Sequence, residues 1–583
     1  MIKKLLQSVR QYTKDSILSA VFILGEVVME VIIPLLMAKL IDEGIDVGDM
    51  GMILKIGAVL LACAMISLFF GIMAGKKAAI ASSGVAKNLR HDMYENVQSF
   101  SFSNIDKFST GSIITRLTTD VSNVQMAYQT MIRMGMRAPV MMLFALIAAI
   151  SIDARLSLIF LAIIPFLAVG LAFIISRAHP LFTRVFKTYD KLNNDVQENL
   201  RGIRVVKSFV REEHEVGKFN QISRQIFEDF SKAEKTIAFN APLMQISVYA
   251  CMLLLSWFGA RAVVASGNNP VIGLSAGELM SLFTYTMQIL MSLMMLSMIF
   301  VIIVISRASA ERIYALLIEE SDLRNPENPV REVKNGEIKF EDVNFYYSRN
   351  AEKLCLESIN LTIHSGETVG ILGTTGSAKT SLVQLIPRLY DVTAGRLLVG
   401  GVDVRDYDLE TLRNQVAMVL QKNELFSGTI NENLRWGNEH ASDEEIRHAC
   451  QIAQADAFIM NFPNGYETHI EQGGTNISGG QKQRLCIARA LLKAPKVLIL
   501  DDSTSAVDTK TDSLIIQAFK REIPDVTKLI IAQRVSSVKD ADKIVLLNNG
   551  RIDAVGTHSE LLRTNAIYKE VYESQSKGSR LHG

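Results

Sequence analysis

The chain has 583 residues, a formal net charge of +1 and a hydrophobic share of 49%. That length exceeds one ordinary domain, and the balanced charge argues against nucleic acid as a partner. The five cysteines are scattered without a C-x-x-C pair or a metal-binding spacing, so we expect reduced or buried thiols.

Long apolar runs fill the first half of the chain. A membrane helix needs about 20 mostly apolar residues, and single Gly or Pro residues inside such a run are tolerated. Six segments meet this condition, at about 17–40, 51–75, 132–152, 156–177, 241–266 and 278–306. We therefore predict a six-helix transmembrane domain over residues 1–320.

The charges that flank these spans predict their orientation. Lys3 and Lys4 precede the first span, and Lys76 and Lys77 follow the second. The connection after the first span is acidic instead. The positive-inside rule then predicts a multi-pass protein with both termini in the cytoplasm.

Two connections between the spans, about 76–131 and 178–240, are long, charged and of helical composition. We predict that the membrane helices continue through them into the cytoplasm and fold back; the alternative is two soluble loop insertions. The turns near 103–112 and 200–206 would then contact the part of the protein on the cytoplasmic side of the membrane. Residues 321–335 contain two prolines and no periodicity, which indicates a linker before a second domain at 336–583.

A phosphate-binding loop is predicted in this second domain. The sequence G-T-T-G-S-A-K-T at 373–380 lies between a buried-strand pattern at 369–372 and a helix start at 381–386. Backbone N–H groups of such a loop bind phosphates, Lys379 would reach the β- and γ-phosphates, and the Thr380 hydroxyl would hold Mg²⁺. Ala378 replaces the glycine of the strict pattern, and we expect binding to survive if the φ angle of Ala378 is negative. The residues predicted to bind ATP here are Gly373, Thr374, Thr375, Gly376, Ser377, Ala378, Lys379, Thr380 and Ser381.

Three further motifs follow the loop. Gln421 comes after an apolar strand at 416–420 and can contact both metal and water. V-L-I-L-D-D at 497–502 predicts a strand ending in two carboxylates, with Asp501 holding the Mg²⁺ shell and Asp502 placed as general base for the attacking water. I-S-G-G-Q at 477–481 offers Ser478 and backbone N–H groups at a helix start, a second anion site.

In this order the motifs resemble the ABC exporter family, in the form of a half-transporter. The resemblance covers almost the whole chain; the signature at 477–481 is specific, whereas the membrane half matches in layout. It implies a six-helix α-helical transmembrane domain with long cytoplasmic helical extensions, followed by an α/β P-loop nucleotide-binding domain. ATP and Mg²⁺ are the implied cofactors. Tyr347 would stack on adenine, although it also fits an ordinary strand aromatic.

In this family two nucleotide domains meet head to tail, so each ATP lies between the phosphate loop of one and the signature of the other. Ser505 and Asp508 would belong to the loop that contacts the opposite ATP site. The signature residues offered to the partner's ATP are Ile477, Ser478, Gly479, Gly480 and Gln481.

The chain departs from the family at two catalytic positions. Active members carry Glu after the Asp of the carboxylate strand and His in I-A-H-R, where this chain has Asp502 and Gln533. The shorter Asp side chain sits about 1–1.5 Å farther from the water, and a misplacement of about 1 Å can cost ~100-fold in rate. Gln533 lacks the switchable charge of His but can donate to a γ-phosphate.

The resemblance and these departures imply a degenerate ATP site, with Asp502, Gln533 and Gln421 as its catalytic residues and Thr380, Gln421 and Asp501 at the metal. The intact signature would complete the hydrolytic site of a second, different half-transporter that carries the missing Glu and His. Two alternatives remain open: the two positions have changed by neutral drift without consequence, or the chain forms a homodimer.

The sequence says less about the cargo. Glu26 and Glu30 share a face of the first span, and intramembrane carboxylates are often functional; an interhelical hydrogen bond is the alternative. The sixth span is rich in methionine, which suits promiscuous apolar sites as well as ordinary core or lipid contacts. The candidate cavity residues are Glu26, Glu30, Met287, Met291, Met294 and Met298.

We therefore expect a subunit of an ATP-driven exporter of hydrophobic or amphipathic small molecules, surrounded by lipid in a bacterial plasma membrane. A lipid or lipid-linked flippase, a peptide exporter and a regulatory ATP-binding subunit are the alternatives. A regulatory subunit predicts that changing Ser478 leaves the turnover of the complex intact. An exporter subunit predicts a large loss on Ser478→Arg and a modest loss on Asp502→Ala.

Overall fold

Long helices occupy most of the first half of the chain. The computed structural model describes residues 1–268, 273–347, 354–502 and 507–580. Its helices up to residue 317 are, in chain order, α1 (Ile2–Gln7), α2 (Thr13–Lys39), α3 (Met50–Gln98), α4 (Phe102–Lys107), α5 (Thr110–Thr115), α6 (Val121–Ile152), α7 (Ala154–Arg201), α8 (Ile203–Ser208), α9 (Glu212–Ala238), α10 (Asn240–Ser266) and α11 (Ala276–Leu317).

Six helical segments within the described residues are long and apolar enough to cross a membrane: Arg10–Ile45, Met50–Gln98, Thr110–Ile152, Ala154–Arg201, Glu212–Ser266 and Ala276–Leu317. Each contains one predicted span, and α3 and α7 continue as helices well beyond their apolar parts. The predicted fold class is therefore confirmed. Local capping explains where two of these helices begin, since Asp153 accepts from the N–H groups of Arg155 and Leu156, and Ser275 caps α11.

The first of two units in the chain consists of Met1–Gln98 and Thr110–Glu319. Small buried side chains such as Ala74, Ala145 and Ala149 line its core, which allows helices to approach closely. Pro34 inside α2 has no N–H, so the carbonyl of Glu30 loses its helical donor. Gln288 of α11 supplies a replacement, because its Nε2 donates to that carbonyl oxygen over 3.2 Å.

The second unit consists of Ser99–Ser109 together with the chain from Glu320 onward. The predicted boundaries 1–320, 321–335 and 336–583 stay predictions. The strands of this unit are β1 (Ile338–Phe345), β2 (Leu356–Ile363), β3 (Thr368–Gly373), β4 (Ala394–Val399), β5 (Val402–Asp403), β6 (Val416–Val419), β7 (Gly428–Thr429), β8 (His469–Ile470), β9 (Val497–Asp501), β10 (Thr527–Ile531), β11 (Lys543–Asn548) and β12 (Arg551–Gly556). Its helices after α4 are α12 (Lys379–Gln384), α13 (Leu409–Gln415), α14 (Ile430–Arg435), α15 (Asp443–Ile452), α16 (Asp456–Met460), α17 (Gly479–Leu491), α18 (Thr509–Glu522), α19 (His558–Thr564) and α20 (Ala566–Arg580).

A six-stranded sheet forms the centre of this unit, in the order β12-β11-β3-β10-β9-β6. All neighbouring pairs are parallel except β11 and β12. Strands β9 and β10 are buried along their whole length, as expected for the centre of a parallel sheet, and β9 has an apolar sequence up to its terminal Asp501. An antiparallel sheet in the order β2-β1-β4-β5 and the short β7-β8 pair complete the strands.

The short helix α4 packs within the second unit although it follows α3 in sequence. Ser101 caps it, and the Ser103 hydroxyl donates to Asp322 Oδ2 over 2.6 Å. The Tyr390 hydroxyl donates to Asp106 Oδ2 over 2.8 Å. The predicted contact turn at 103–112 overlaps α4, which is itself part of the second unit, and both contact turns stay predictions.

Candidate functional site

Four segments that follow parallel strands meet at one edge of the six-stranded sheet. The phosphate loop follows β3, Gln533 follows β10, Asp502 follows β9 and Gln421 follows β6. These four strands are adjacent, in the order β3-β10-β9-β6. Ligands of open parallel sheets bind beyond the carboxyl ends of the strands, so the fold brings the predicted site residues together for a topological reason.

The side chain of Lys379 folds back and hydrogen-bonds to the phosphate loop. Its Nζ donates to the carbonyl oxygens of Gly373 over 2.8 Å and Thr374 over 2.9 Å. Burial lowers the pKa of Lys379, and the nearby Asp501 and Asp502 partly oppose that shift. The ammonium group therefore lies where it could give up its hydrogen bonds to the loop carbonyls and donate to phosphate oxygens instead.

Ala378 does not meet the condition stated for it above. Its backbone is left-handed, with φ 70° and ψ 25°, where a negative φ was expected. The loop turns sharply into α12 at this point, a conformation that suits glycine, and a Cβ there costs roughly 1–2 kcal/mol. The turn nevertheless forms, because the N–H of Leu382 donates to the Ala378 carbonyl oxygen over 3.0 Å.

Asp501 and Thr380 have the geometry expected of a magnesium site. The Thr380 hydroxyl donates to Asp501 Oδ1 over 3.1 Å, and Asp501 is only 2% exposed. Within the described residues, Asp501 Oδ2 is buried and has no hydrogen-bond partner. Burial also raises the pKa of the Asp501 carboxyl group. A carboxylate oxygen without a partner beside a hydroxyl fits the oxygen ligands of hydrated Mg²⁺.

Asp502 is held by both predicted glutamines. Its Oδ2 accepts from Gln533 Nε2 over 2.7 Å and from Gln421 Nε2 over 3.5 Å. The backbone of Asp502 is left-handed, with φ 50°, and its side chain is largely buried. The three predicted catalytic residues thus form one hydrogen-bonded cluster.

Tyr347 lies next to the helix that follows the phosphate loop. Its hydroxyl is 2.8 Å from Ser381 Oγ and donates to Gln384 Oε1 over 3.3 Å. Its half-exposed ring meets the edge of Tyr390, with 5.1 Å between ring centroids. Adenine stacking on Tyr347 stays a prediction.

The signature begins α17. Ser478 is its N-cap: the N–H of Gln481 donates to Ser478 Oγ over 3.3 Å, and the Ser478 N–H donates to Gln481 Oε1 over 2.9 Å. Across the part of the chain that the structure describes, no hydrogen bond joins 477–481 to the loop 373–380. Asp508 caps α18, and Ser505 lies outside the described residues.

Glu26 and Glu30 both contact Arg137 of α6. Arg137 Nη1 donates to Glu26 Oε1 over 2.6 Å, and Nη2 donates to both carboxylate oxygens of Glu30 over 2.8 Å. This interhelical ion cluster is the kind of contact weighed above as the alternative to a cavity role, and the cavity role stays a prediction. On α11, the side chains of four candidate methionines are exposed: Met287, Met291, Met294 and Met298.

Sequence reasoning missed three contributors. Arg137 carried a usable signal, because an arginine lies inside the third predicted span and intramembrane charges are normally paired. Tyr390 belongs to no motif, and neither does Gln575, whose Nε2 donates to the Gln533 carbonyl oxygen over 2.9 Å. Only the tertiary structure connects those two residues to the site.

The chain matches two family models: the ABC transporter transmembrane region over residues 16–294 and the ABC transporter model over residues 356–505. The uncharacterized ABC transporter ATP-binding protein YfiB of Bacillus subtilis is 36% identical over 98% of both chains. The chain belongs to the ABC transporter family. It is an ABC-type ATPase of the half-transporter kind, with one multi-pass membrane region and one nucleotide-binding domain.

Two other relatives of this ABC transporter carry more specific names. The "Putative multidrug export ATP-binding/permease protein YgaD" of Bacillus subtilis is 30% identical over 99% of both chains. The ATP-dependent lipid A-core flippase of Desulfotalea psychrophila is 33% identical over 84% of both chains. The solved structure of a bacterial Atm1-family ABC exporter with ATP bound has the same fold, with a TM-score of 0.82, 22% identity, and coverage of 97% of this chain and 98% of that one.

Proposed function

We propose that this ABC transporter is one half of a heterodimeric, ATP-driven exporter of hydrophobic or amphipathic compounds. The partner is a different half-transporter that carries the catalytic Glu and His. The assembly lies in a bacterial plasma membrane, with both termini of this chain cytoplasmic. The name of the YgaD relative, which refers to multidrug export, supports the substrate class.

The hydrogen bond from Gln533 to Asp502 carries the proposal. A general base needs an open oxygen lone pair that faces the attacking water. Asp502 Oδ2 instead accepts from Gln533 at 2.7 Å and lies at the edge of hydrogen-bond distance from Gln421. Proton transfer to that oxygen requires the amides to move, and the shorter side chain of Asp keeps the carboxylate farther from the water; both support slow hydrolysis at the site built by this chain's own loop.

Nucleotide binding at the same site has stronger support. Lys379 and the N–H groups of the loop would contact the phosphates, and Thr380 and Asp501 would hold Mg²⁺, which would supply neutralisation of phosphate charge. Ser478 uses its oxygen to accept from Gln481, so its hydroxyl proton remains available to the partner's γ-phosphate. The chain would thus bind ATP, even though Ala378 does not have the negative φ set as the condition for binding, and would complete a faster site on its partner.

Matched substitutions in the co-purified complex test this division of labour. Ser478→Arg should lower the ATPase rate at least ~100-fold, because it removes a donor and adds bulk where the transition state is bound. Asp502→Ala should lower the rate by less than about threefold. Ser442→Arg is the control, since Ser442 caps α15 with the same reciprocal hydrogen bonds.

The opposite pattern would contradict the proposal. Loss of turnover with Asp502→Ala would make this chain's own site the active one. Normal turnover with Ser478→Arg would make the chain a regulatory subunit. If Ser442→Arg lowers the rate as much as Ser478→Arg, lost capping rather than lost phosphate contact explains the effect.

A lipid or lipid-linked flippase is the second candidate, favoured by the lipid A-core flippase relative. The two candidates differ in what stimulates the ATPase. The exporter should respond to cationic amphipathic dyes in vesicles of fixed lipid composition. A flippase should respond to the headgroup composition of the vesicle and ignore the dyes.

A further inference from the structure

We infer that Gln575 on the C-terminal helix α20 is a positioning residue for the ATP site. Its side-chain amide holds the backbone around Gln533, and the Gln533 side chain in turn holds Asp502. The inferred effect on nucleotide binding rests on the proposed function, in which this chain's own site binds ATP, and on the predicted donation from Gln533 to a γ-phosphate. The inferred effect on backbone order does not.

Both the nitrogen and the oxygen of the Gln575 side-chain amide make hydrogen bonds. Gln575 Nε2 donates to the Gln533 carbonyl oxygen over 2.9 Å, and Gln575 Oε1 accepts from the N–H of Val535 over 2.9 Å. A carboxylate of the same length would keep the acceptor and lose the donor. The two hydrogen bonds therefore fix the backbone of Gln533 and Val535, on either side of Arg534, as a neighbouring β-strand would.

The helix that carries Gln575 is firmly attached. Tyr568 is 1% exposed, and its hydroxyl lies 2.6 Å from His558 Nδ1 of α19. Val571 and Tyr572 pack against the hydrophobic core of the second unit. Positions 568, 571, 572 and 575 share one helical face, so the packing of α20 directs Gln575 toward the segment that it holds.

The same segment is fixed from its other side by α18. The Ser537 hydroxyl donates to Asp512 Oδ2 over 2.7 Å, and Asp512 lies one turn after the cap residue Asp508. Residues 533–537 thus lie between α18 and α20, and Gln533 Nε2 reaches Asp502 Oδ2 from this clamped backbone. Loss of the hydrogen bonds to α20 alone would let the Gln533 carbonyl and side chain move away from Asp502.

The test uses the full-length chain in lipid nanodiscs, with ATP and ADP as Mg²⁺ complexes. Gln575→Ala should raise the Kd for ATP about 3- to 10-fold, the effect of one or two hydrogen bonds, and leave the Kd for ADP within about twofold. Gln575→Glu should weaken ATP binding at least as much as Gln575→Ala, because the bond from Val535 survives but a carboxylate oxygen then faces the Gln533 carbonyl oxygen. Hydrogen–deuterium exchange of 531–537 should accelerate in the Gln575→Ala variant. Glu573→Ala, two residues away on α20, is the control and should change none of these values.

Equal weakening of ATP and ADP would mean that Gln575 only stabilises the domain, and the inference would fail. Unchanged exchange of 531–537 in the Gln575→Ala variant would also overturn it. Gln533→Ala separates the inference from the proposed function. If Gln533→Ala leaves the ratio of ATP to ADP affinity unchanged, the γ-phosphate contact is wrong, and the exchange measurement alone decides whether Gln575 positions the segment.

Discussion

Two non-glycine residues beside the phosphate site have left-handed backbones, Ala378 with φ 70° and Asp502 with φ 50°. Their consequences differ, because aspartate is among the residues that tolerate this region whereas alanine is not. The loop therefore stores strain at Ala378. At Asp502 the same conformation directs the carboxylate toward Gln533.

Ala378→Gly should relieve this strain. We expect the free energy of unfolding of the full-length chain to rise by about 0.5–1 kcal/mol, after allowing for the greater freedom of glycine in the unfolded chain. Thermal unfolding of the full-length chain in lipid measures this change. Ala453→Gly is the control of opposite sign, because Ala453 is buried with φ −76° and gains nothing from glycine. An unchanged or lower unfolding temperature for Ala378→Gly would show that the loop is not strained there.

At this scale the sequence was informative about residue identity and silent about conformation. The motifs at 373–380, 421 and 501–502 could be found because each follows an apolar strand. The sign of φ at Ala378 could not, since it depends on how the loop closes onto α12. The charges on Glu26 and Glu30 were visible, but their pairing with Arg137 depends on how α2 packs against α6.

At the scale of elements, α4 is joined to the nucleotide-binding site by a row of aromatic residues. Phe102 on α4 meets the edge of Tyr390 at 6.0 Å, and Tyr390 meets Tyr347 at 5.1 Å. Burial raises the pKa of the Tyr390 hydroxyl, which stays protonated and donates to Asp106. Since α4 follows α3 in the chain, we predict that this row is a route by which nucleotide binding affects the transport cycle.

Tyr390→Phe should weaken that route and leave the site intact. The ring contacts remain while the bond to Asp106 is lost, so we expect an unchanged Kd for ATP. Drug-stimulated ATPase of the complex should fall about two- to tenfold, the equivalent of one hydrogen bond. Tyr407→Phe is the matched control, because the Tyr407 hydroxyl donates to the Val399 carbonyl oxygen over 2.8 Å without touching α4. Equal losses in both variants would contradict a specific role for Tyr390.

The sequence predicted helices and strands better than it predicted the contacts between them. Apolar runs predicted the membrane-length helices because burial in lipid demands continuous hydrophobicity. Parallel strands were recognisable because both of their faces are buried. The hydrogen bonds between Gln575 on α20 and the segment after β10 could not be predicted from the sequence. A single polar residue on a partly exposed helix can make many different contacts, and its sequence context does not distinguish between them.

At the scale of the whole molecule, this chain offers two unlike surfaces to a partner. Its signature serine caps α17 and is exposed, whereas its own Asp502 accepts hydrogen bonds from two glutamines. Under the proposed function, a symmetric dimer of such chains would contain two slow sites. The proposed pairing with an unlike half-transporter would give one slow site that binds ATP and one fast site that hydrolyses it.

The rate of MgATP hydrolysis by this chain purified alone in lipid tests the account most directly. We predict slow hydrolysis that changes by less than about twofold on Asp502→Asn, because the proposed function assigns Asp502 little share in activating the water. Addition of a partner that carries Glu and His should then restore turnover through Ser478. Fast hydrolysis by the chain alone, abolished by Asp502→Asn, would contradict the central claim.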